Sequence, residues 1–370
     1  MALKQFPVIS VKGKPFDCGR QHGFQARQQI RNNIGLYFDI WHSLWGAERL
    51  EVIERCKGFV NGIGEYDADI LEELEGVAKG ADISLEEVIT LNTRYELVWA
   101  PSVIPLFRGD ACTSAVALPS ITRDNRTILG QNWDYKPRFK GLSIILEIEQ
   151  ESKPNIVMQT EAGVIGFKGM NSAGIGICVN ALISNWDRFE HMTPFFVILR
   201  GILNADSFSQ ALKAVLGTTS SVSGNILLAH RDGEAIDLEV TPKDVSSLYE
   251  EEGIITHSNH FLVFTNREGL RDTYRSVIPD TLFRFQRARQ LLNVDRGYID
   301  VNSFQRVFKD HFSYPNSICR HVDSRDDDPR QAATLSSLIM DLKERTFYMT
   351  NGSPCQNDYY QLSSKILLRD

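Results

Sequence analysis

The sequence predicts an α+β protein built in layers, because a helical first part is followed by a long series of short strands. Apolar residues recur at helical spacing from about residue 19 to residue 100. After Asp110 the pattern changes to short β-rich runs that are separated by turn residues. Further helical segments interrupt and follow these runs. Strands in the middle with helices on both sides are typical of stacked helix and sheet layers.

The individual elements follow from apolar spacing and turn residues. The first part has predicted helices at residues 21–44 and 70–79. Ser84 and Glu87 have the spacing of a capping box, which predicts that another helix begins there. Predicted strands cover residues 113–118, 127–130, 143–149, 155–159, 174–180, 225–229 and 235–240, predicted helices cover residues 194–203, 207–216 and 281–292, and strand-like alternation returns at residues 333–350.

The composition is that of an ordinary globular protein. The chain has 370 residues, of which 42% are hydrophobic, and a formal net charge of −7. This length suffices for one large domain. The acidic balance argues against a nucleic-acid partner and against an anionic membrane surface. No apolar stretch is long enough to span a membrane and no signal peptide is recognised, so we expect a cytoplasmic location.

The six cysteines are scattered along the chain, and no CxxC or Cys/His spacing suggests a zinc site. This pattern predicts reduced thiols. The acidic stretch at residues 323–330 is interpreted as a solvated loop, because no further oxygen ligands follow it at a regular spacing. We therefore expect no metal and no bound organic cofactor.

Cys112 differs from the other cysteines in its position, where the helical part ends and the first strand begins. The residue before it, Ala111, is small, so the thiol could approach the Ala111 carbonyl. Such an attack would move the acyl group from nitrogen to sulfur, and water would then release residues 1–111. The new α-amino group of Cys112, with a pKa of about 8, could take the proton from its own thiol. A lone cysteine is otherwise more often buried and inert.

Asp134 is the second candidate residue. It follows Cys112 at a separation that fits two adjacent antiparallel strands. Gln131 and Asn132 are further polar residues beside it at the end of an apolar run. A carboxylate at this place could orient the α-ammonium group of Cys112. The simpler interpretation is a turn residue.

Several motifs in order resemble the acyl-coenzyme A:6-aminopenicillanic acid acyltransferase family, whose members are N-terminal-nucleophile hydrolases related to choloylglycine hydrolases and penicillin V acylases. The motifs span nearly the whole chain. They are Asp110-Ala111-Cys112-Thr113, residues 130–135, His257-Ser258-Asn259-His260-Phe261, the opening residues 13–23, and the late stretches 318–321, 334–342 and 352–355. The acyltransferases commonly have glycine where Ala111 stands, and the choloylglycine branch has arginine where Gln131 stands, so bile-salt hydrolysis is not supported.

The resemblance implies a four-layer αββα sandwich, self-cleaved into an α-chain of residues 1–111 and a β-chain of residues 112–370 that stay associated as one large domain. It implies an enzyme that acts on small N-acyl amides or acyl thioesters, including acyl-coenzyme A, through an acyl-cysteine. Homo-oligomerisation is left open. The implied site residues are Cys112 as nucleophile, Asp134 as the carboxylate that orients the amine, Asn259 as an oxyanion-stabilising amide, Asn180 in the oxyanion hole, and either Arg320 or Arg284 near the thiol.

Two other interpretations remain. Cys112, His257 and Asn259 include the residue types of a papain-like triad, and the separation of Cys112 from His257 fits that family. However, no Cys-Gly-Ser-Cys-Trp motif surrounds Cys112, and Asn259 follows the histidine by only two residues. We expect His257 and His260 to be structural. The non-enzyme alternative is a binding protein of the same fold that never cleaves itself.

Overall fold

The computed structural model describes residues 5–98, 111–264, 268–326 and 331–368. Two β-sheets lie face to face, and helices cover the outer face of each sheet. This arrangement confirms the predicted α+β class and the αββα sandwich. None of the described helices is long and apolar enough to cross a membrane.

The helices of the first part form one outer layer, as predicted. Residues 21–44 do not form one helix, because Ala26 leaves the helical conformation with φ −101° and ψ 15°. The apolar spacing continues on both sides of Ala26, so the sequence pattern does not reveal the break. The layer consists of α1 (Pro15–Gln25), α2 (Arg27–Trp45), α3 (Arg49–Cys56), α4 (Phe59–Tyr66), α5 (Ala68–Ala81), α6 (Leu85–Asn92), α7 (Arg94–Val98), α8 (Phe195–Leu203) and α9 (Phe208–Leu216).

The larger sheet packs against this helical layer. Its strand order is β1-β4-β5-β6-β7-β8-β9-β10, and β1 pairs with β4 in parallel. Strands β1, β6 and β10 were not predicted, because β6 and β10 have only four residues each and β1 lies before the helical part, outside the β-rich part of the sequence. The bounds are β1 (Val8–Gly13), β4 (Ser143–Gln150), β5 (Ile156–Glu161), β6 (Lys168–Asn171), β7 (Ile175–Ala181), β8 (Gly224–His230), β9 (Ala235–Val240) and β10 (Val245–Leu248).

The smaller sheet has the order β11-β2-β3-β12-β13-β14, so the predicted β2–β3 hairpin lies inside it. The outer face of this sheet packs against α10 (Thr281–Asn293), which was predicted, and α11 (Val301–Phe308), which was not. Its strands are β2 (Ala111–Ala117), β3 (Ile128–Tyr135), β11 (Ile254–His257), β12 (Ala333–Asp341), β13 (Thr346–Asn351) and β14 (Tyr360–Ser363).

The space between the sheets is a third core. Alternate residues of the inner strands fill it, among them Val116 of β2, Leu129 of β3, Met170 of β6 and Cys178 of β7. Side chains of a strand alternate between its faces. The inner face of β2 therefore points toward the larger sheet, and its outer face points toward α10.

Candidate active site

Cys112 is the second residue of β2 and is almost fully buried. The strand register places Cys112 opposite Trp133 and Ala111 opposite Asp134. Directly opposite residues of antiparallel strands project to the same side of a sheet. Cys112 and Trp133 therefore share the inner face with Val116, whereas Asp134 lies on the outer face, toward α10.

The backbone of Cys112 is held on both sides by buried side chains. Its amide nitrogen donates a hydrogen bond to Oδ1 of Asn259 at 2.8 Å. Its carbonyl oxygen accepts one from Nη1 of Arg284 at 2.6 Å. Nη2 of Arg284 also donates to Oδ1 of Asn259 at 2.9 Å, so the two side chains hold each other in place.

Asn259 lies just after β11, and its orientation is fixed by further contacts. Its backbone nitrogen donates to Oγ1 of Thr281 at 2.7 Å, and its Nδ2 donates to the Ala181 carbonyl at 3.0 Å. Because Nδ2 faces a carbonyl, Oδ1 must face the amide of Cys112. The sequence predicted Asn259 as an oxyanion donor, and its Nδ2 has a second hydrogen for that purpose. The contact with the nitrogen of Cys112 was not predicted.

The structure distinguishes the two candidate arginines. Arg284 is fully buried, and its Nη1 bonds to Oγ1 of Thr113 at 2.9 Å in addition to the Cys112 carbonyl. Its Nε donates to Oδ2 of Asp280 at 2.7 Å. Arg284 therefore contacts Cys112 directly, whereas Arg320 is linked to Arg284 through the carboxylate of Asp280.

Arg320 links Asp134 to the same network. Asp134 accepts a hydrogen bond from Oγ1 of Thr334 at 2.6 Å and faces Nε of Arg320 at 3.4 Å. Arg320 also pairs with Asp280, the partner of Arg284. Burial raises the pKa of Asp134 to about 6, although both arginines act in the opposite direction. Asp134 is thus connected to Cys112 indirectly: Arg320 joins it to Asp280, and Asp280 pairs with Arg284, which bonds to the Cys112 carbonyl.

Asn180, the last predicted site residue, is buried in β7 on the other side of Cys112. Its Oδ1 accepts from Oγ of Ser114 at 2.8 Å, and its Nδ2 donates to the His257 carbonyl at 3.2 Å. Asn180 and Cys112 line the same cavity. The predicted site residues thus lie around Cys112, and Asp110, which belongs to the family motif Asp110-Ala111-Cys112-Thr113, lies outside the described residues.

The cavity beside Cys112 is mainly aromatic. Its volume is only about 30 Å³, roughly the space of one water molecule. The rings of Trp133 and Phe167 meet edge to face at 5.7 Å, and those of Tyr95 and Phe195 stack at 5.0 Å. The mainly apolar lining with a few polar groups at one end is the kind of lining that small-molecule sites have, and a substrate would have to displace some of these side chains. Its lining residues are Arg94, Tyr95, Cys112, Trp133, Tyr135, Phe167, Val179, Asn180, Ala181, Phe195 and Phe196.

Comparison with known proteins places the chain in a family. Residues 121–356 match the family described as acyl-coenzyme A:6-aminopenicillanic acid acyl-transferase. The chain belongs to this family. The acyl-coenzyme A:6-aminopenicillanic-acid-acyltransferase of Emericella nidulans is 27% identical over 351 residues, which are 95% of this chain and 94% of that relative. The resemblance seen in the sequence motifs is thereby confirmed, and the family is one of acyl-transfer enzymes.

Two solved structures are also similar, at low identity. A conjugated bile acid hydrolase from Clostridium perfringens is 13% identical with a TM-score of 0.47, and covers 69% of this chain and 97% of its own. A penicillin V acylase from Agrobacterium tumefaciens is 17% identical with a TM-score of 0.47, and covers 68% of this chain and 86% of its own.

His257 has structural partners, as the sequence predicted. Its Nε2 lies 3.2 Å from Oε1 of Glu239, and its Nδ1 lies 2.9 Å from the Ser258 carbonyl oxygen. The Glu239 carboxylate also accepts hydrogen bonds from the backbone nitrogens of residues 262–264. His257 therefore helps to anchor the loop that carries Asn259. His260 is likewise bound, through its Nδ1 to Oγ1 of Thr281 at 2.9 Å.

Lys168 is a residue near the site that sequence reasoning missed. It is fully buried in β6, and its Nζ lies 4.5 Å from the ring centre of Trp133 and 4.1 Å from that of Phe167. Its ammonium has no hydrogen-bond partner among the described residues. Burial lowers the pKa of Lys168 to about 7, and an electrostatic interaction with Cys112 acts against that shift. A lysine directly after the apolar run Val164–Ile165–Gly166–Phe167 was the available signal.

The sequence spacing suggested no zinc site, but in three dimensions two cysteines and two histidines come together. His311, Cys319, His321 and Cys355 come together at the surface near Arg320, with their ligand atoms all within 4.8 Å of one another. His311 and Cys319 lie 10 and 2 residues before His321, and Cys355 lies 34 residues after it, a spacing that matches none of the common zinc motifs. In the acidic stretch, Asp323 binds Arg325, and residues 327–330 lie outside the described parts.

Proposed function

We propose that the chain is a self-cleaving enzyme that cuts itself between Ala111 and Cys112 and then uses Cys112, as a new N-terminal residue, to attack acyl amides or acyl thioesters. One observation carries the proposal. The amide nitrogen of Cys112 is bonded to Asn259 and its carbonyl to Arg284, at a buried position that opens onto an aromatic cavity. These contacts fix the group that would become the catalytic amine.

Self-cleavage requires the Cys112 thiol to add to the Ala111 carbonyl. The C–N bond then breaks, the nitrogen of Cys112 takes a proton, and the acyl group rests on sulfur as a thioester. Water hydrolyses the thioester, which leaves a carboxylate on Ala111 and a free thiol and amine on Cys112. Asn259 Oδ1 accepts a hydrogen bond from this nitrogen before cleavage and can do so afterwards. The base of the next reaction is thus oriented from the start.

In the acyl reaction the freed α-amino group takes the proton of the thiol, and the sulfur attacks the substrate carbonyl. The second hydrogen of Asn259 Nδ2 and the Nδ2 group of Asn180 are the proposed oxyanion donors, each worth about 3 kcal/mol of transition-state stabilisation. The protonated amine returns its proton to the leaving group. The acyl-cysteine then passes to water or to an acceptor amine.

The aromatic cavity favours an apolar acyl group. Trp133, Phe167 and Phe195 offer ring faces and edges, and such contacts stabilise flat or aliphatic groups. Arg94, at the same cavity, forms a buried pair with Glu161 at 2.5 Å. We therefore propose N-acyl amides with an aromatic or aliphatic side chain, or the matching acyl-coenzyme A thioesters, as substrates.

The two chains would stay associated after cleavage. The helices before residue 98 bury apolar residues such as Ile30, Tyr37 and Leu74 in one core with β4 and β5. Separation would expose this core to water, which costs a free energy of about 25 cal/mol per Å² of apolar surface. The proposed product is one domain of two chains, residues 1–111 and 112–370.

Intact-mass measurement of the purified protein tests self-cleavage. The expected result is two chains under denaturing conditions, the larger one starting at Cys112. Cys112→Ala should remain a single inactive chain. Cys178→Ala is the matched control, because Cys178 is also buried between the sheets, and it should still cleave. An uncut chain that hydrolyses acyl amides would disprove the proposal, and an uncut chain that only binds them would indicate a binding protein.

The papain-like alternative is tested by His257→Gln. Glutamine can still donate a hydrogen bond to Glu239, so the loop should keep its position. Under the proposed mechanism, turnover of a reporter amide should fall by less than about tenfold, because no imidazole moves a proton. If His257→Gln is as inactive as Cys112→Ala while its fold is intact, an imidazole base is required and the N-terminal amine is not the base.

A further inference from the structure

The four side chains of the surface Cys/His cluster, His311, Cys319, His321 and Cys355, converge from two segments of the chain, residues 311–321 and the segment that contains Cys355. Nε2 of His311 and Nε2 of His321 face each other at 3.1 Å. The sulfur of Cys319 lies 3.7 Å from Nε2 of His321, and that of Cys355 lies 3.3 Å from the same nitrogen. Two imidazoles and two thiols therefore surround one point.

These separations match the edges of a tetrahedral zinc site. With bonds of about 2.0–2.1 Å to nitrogen and about 2.3 Å to sulfur, two nitrogen ligands lie about 3.3 Å apart, and a nitrogen and a sulfur about 3.5 Å apart. The cluster has 3.1 Å between nitrogens and 3.3 Å and 3.7 Å between nitrogen and sulfur. The remaining separations are at most 4.8 Å, so small side-chain adjustments would bring all four atoms to bonding distance of one central ion.

We propose that the Cys/His cluster binds one zinc ion as a closed, structural site. A tetrahedral set of two sulfurs and two imidazoles favours zinc over hard cations such as magnesium and calcium. All four positions are filled by protein, so no place is left for a reactive water. Two thiolates balance the charge of the ion, which makes the site neutral at the protein surface.

The position of the cluster gives the ion a role in the fold. Cys319 and His321 flank Arg320 in the chain, and Arg320 pairs with Asp134 and Asp280. Cys355 belongs to a different segment, which follows β13. The zinc ion would join these two segments and fix the backbone on both sides of Arg320. The proposed zinc site does not depend on the role proposed for Cys112.

Metal analysis of the untagged full-length protein tests the proposal. Protein purified under reducing conditions without chelators should contain about one zinc ion per chain. Cys355→Ala and His311→Ala should lose it, and because both residues are exposed, neither change opens a core cavity. The matched controls, Cys18→Ala and His42→Ala, remove a cysteine and a histidine far from the cluster and should keep full zinc content.

Cobalt substitution shows the ligands directly. The zinc-free protein reloaded with Co²⁺ should have the visible bands of a tetrahedral ion and sulfur-to-cobalt charge-transfer bands, and both should disappear in Cys355→Ala. A chelator should lower the unfolding temperature of the unchanged protein and leave that of Cys355→Ala unaffected.

Three results would overturn the proposal. One is absence of zinc together with absence of cobalt bands after reloading. Another is a disulfide between Cys319 and Cys355, seen as a mass lower by two hydrogens that reductant restores. The third is full zinc content in both cluster variants, which would place the ion elsewhere.

Discussion

Oδ1 of Asn259 lies 2.8 Å from the amide nitrogen of Cys112, although 147 residues separate the two in the chain. The contact exists because β11 pairs with β2, so that the loop after His257 reaches the start of the strand that Cys112 opens. The same oxygen also accepts from Arg284. Asn259 thus positions the future amine and is itself oriented by Arg284, Thr281 and the Ala181 carbonyl, which makes it the most informative residue to change.

Asn259→Ala should slow both self-cleavage and turnover, because the Cys112 nitrogen loses its acceptor and the oxyanion a donor. We expect turnover to fall by a factor on the order of 100 or more. The measurement is the rate of reporter-amide hydrolysis per cleaved chain. Asn302→Ala, on the exposed side of α11, is the control and should behave as the unchanged protein. Near-normal turnover in Asn259→Ala would remove Asn259 from the mechanism.

Arg284→Met should destabilise the fold by about 3 kcal/mol, because it breaks the buried ion pair with Asp280 and removes the hydrogen bond that Arg284 donates to the Cys112 carbonyl. The comparison is Arg287→Met on the same helix, where a partly exposed pair with Asp310 should cost about 1 kcal/mol or less. Urea unfolding in the Cys112→Ala background keeps the chain whole. Equal costs for the two variants would contradict a special role of Arg284.

Asp134→Asn should change the pH dependence of turnover. Burial raises the pKa of Asp134 to about 6, so its carboxylate loses its charge, and its attraction to Arg320, as the pH falls below that value. The unchanged enzyme should therefore lose activity below about pH 6. Asp134→Asn should be slower at neutral pH and should lack this acidic limb. An identical pH profile in both proteins would show that Asp134 does not control the site.

Lys168→Met should alter stability in a pH-dependent way. Burial lowers the pKa of Lys168 to about 7, so between pH 7 and the ordinary lysine pKa of 10.5 the unfolded chain binds more protons than the folded one. Stability should therefore rise with pH in this window, and Lys168 destabilises the fold most below pH 7.

The Lys168→Met variant in the Cys112→Ala background should accordingly be more stable than its parent at pH 6, with a smaller difference at pH 9. Urea unfolding at both values measures this. Lys213→Met changes an exposed lysine of α9 and should leave the pH dependence as it is. If the difference in free energy of unfolding between the parent and Lys168→Met is the same at pH 6 and pH 9, the pKa of Lys168 is not lowered by burial.

The local elements were predictable because they rest on local rules. The capping box of Ser84 and Glu87 opens α6, and α10 begins at Thr281 as the apolar spacing indicated. The short edge strands β11 and β14 have four residues each and too little periodicity to be recognised. Their existence depends on neighbouring strands that supply hydrogen bonds, which a local pattern does not contain.

By itself the sequence determined the layered fold and the identity of the residues around Cys112, because periodicity, turn chemistry and family motifs are written in neighbouring positions. Only the tertiary structure decided how these residues touch. Strand pairing placed Asn259 on the amide of Cys112, chose Arg284 over Arg320 for its carbonyl, and put Lys168 inside the protein. The contacts of Asn259 and Arg284 join residues far apart in the chain, because a buried polar group is stable when the fold supplies a hydrogen-bond partner, whatever the distance along the sequence.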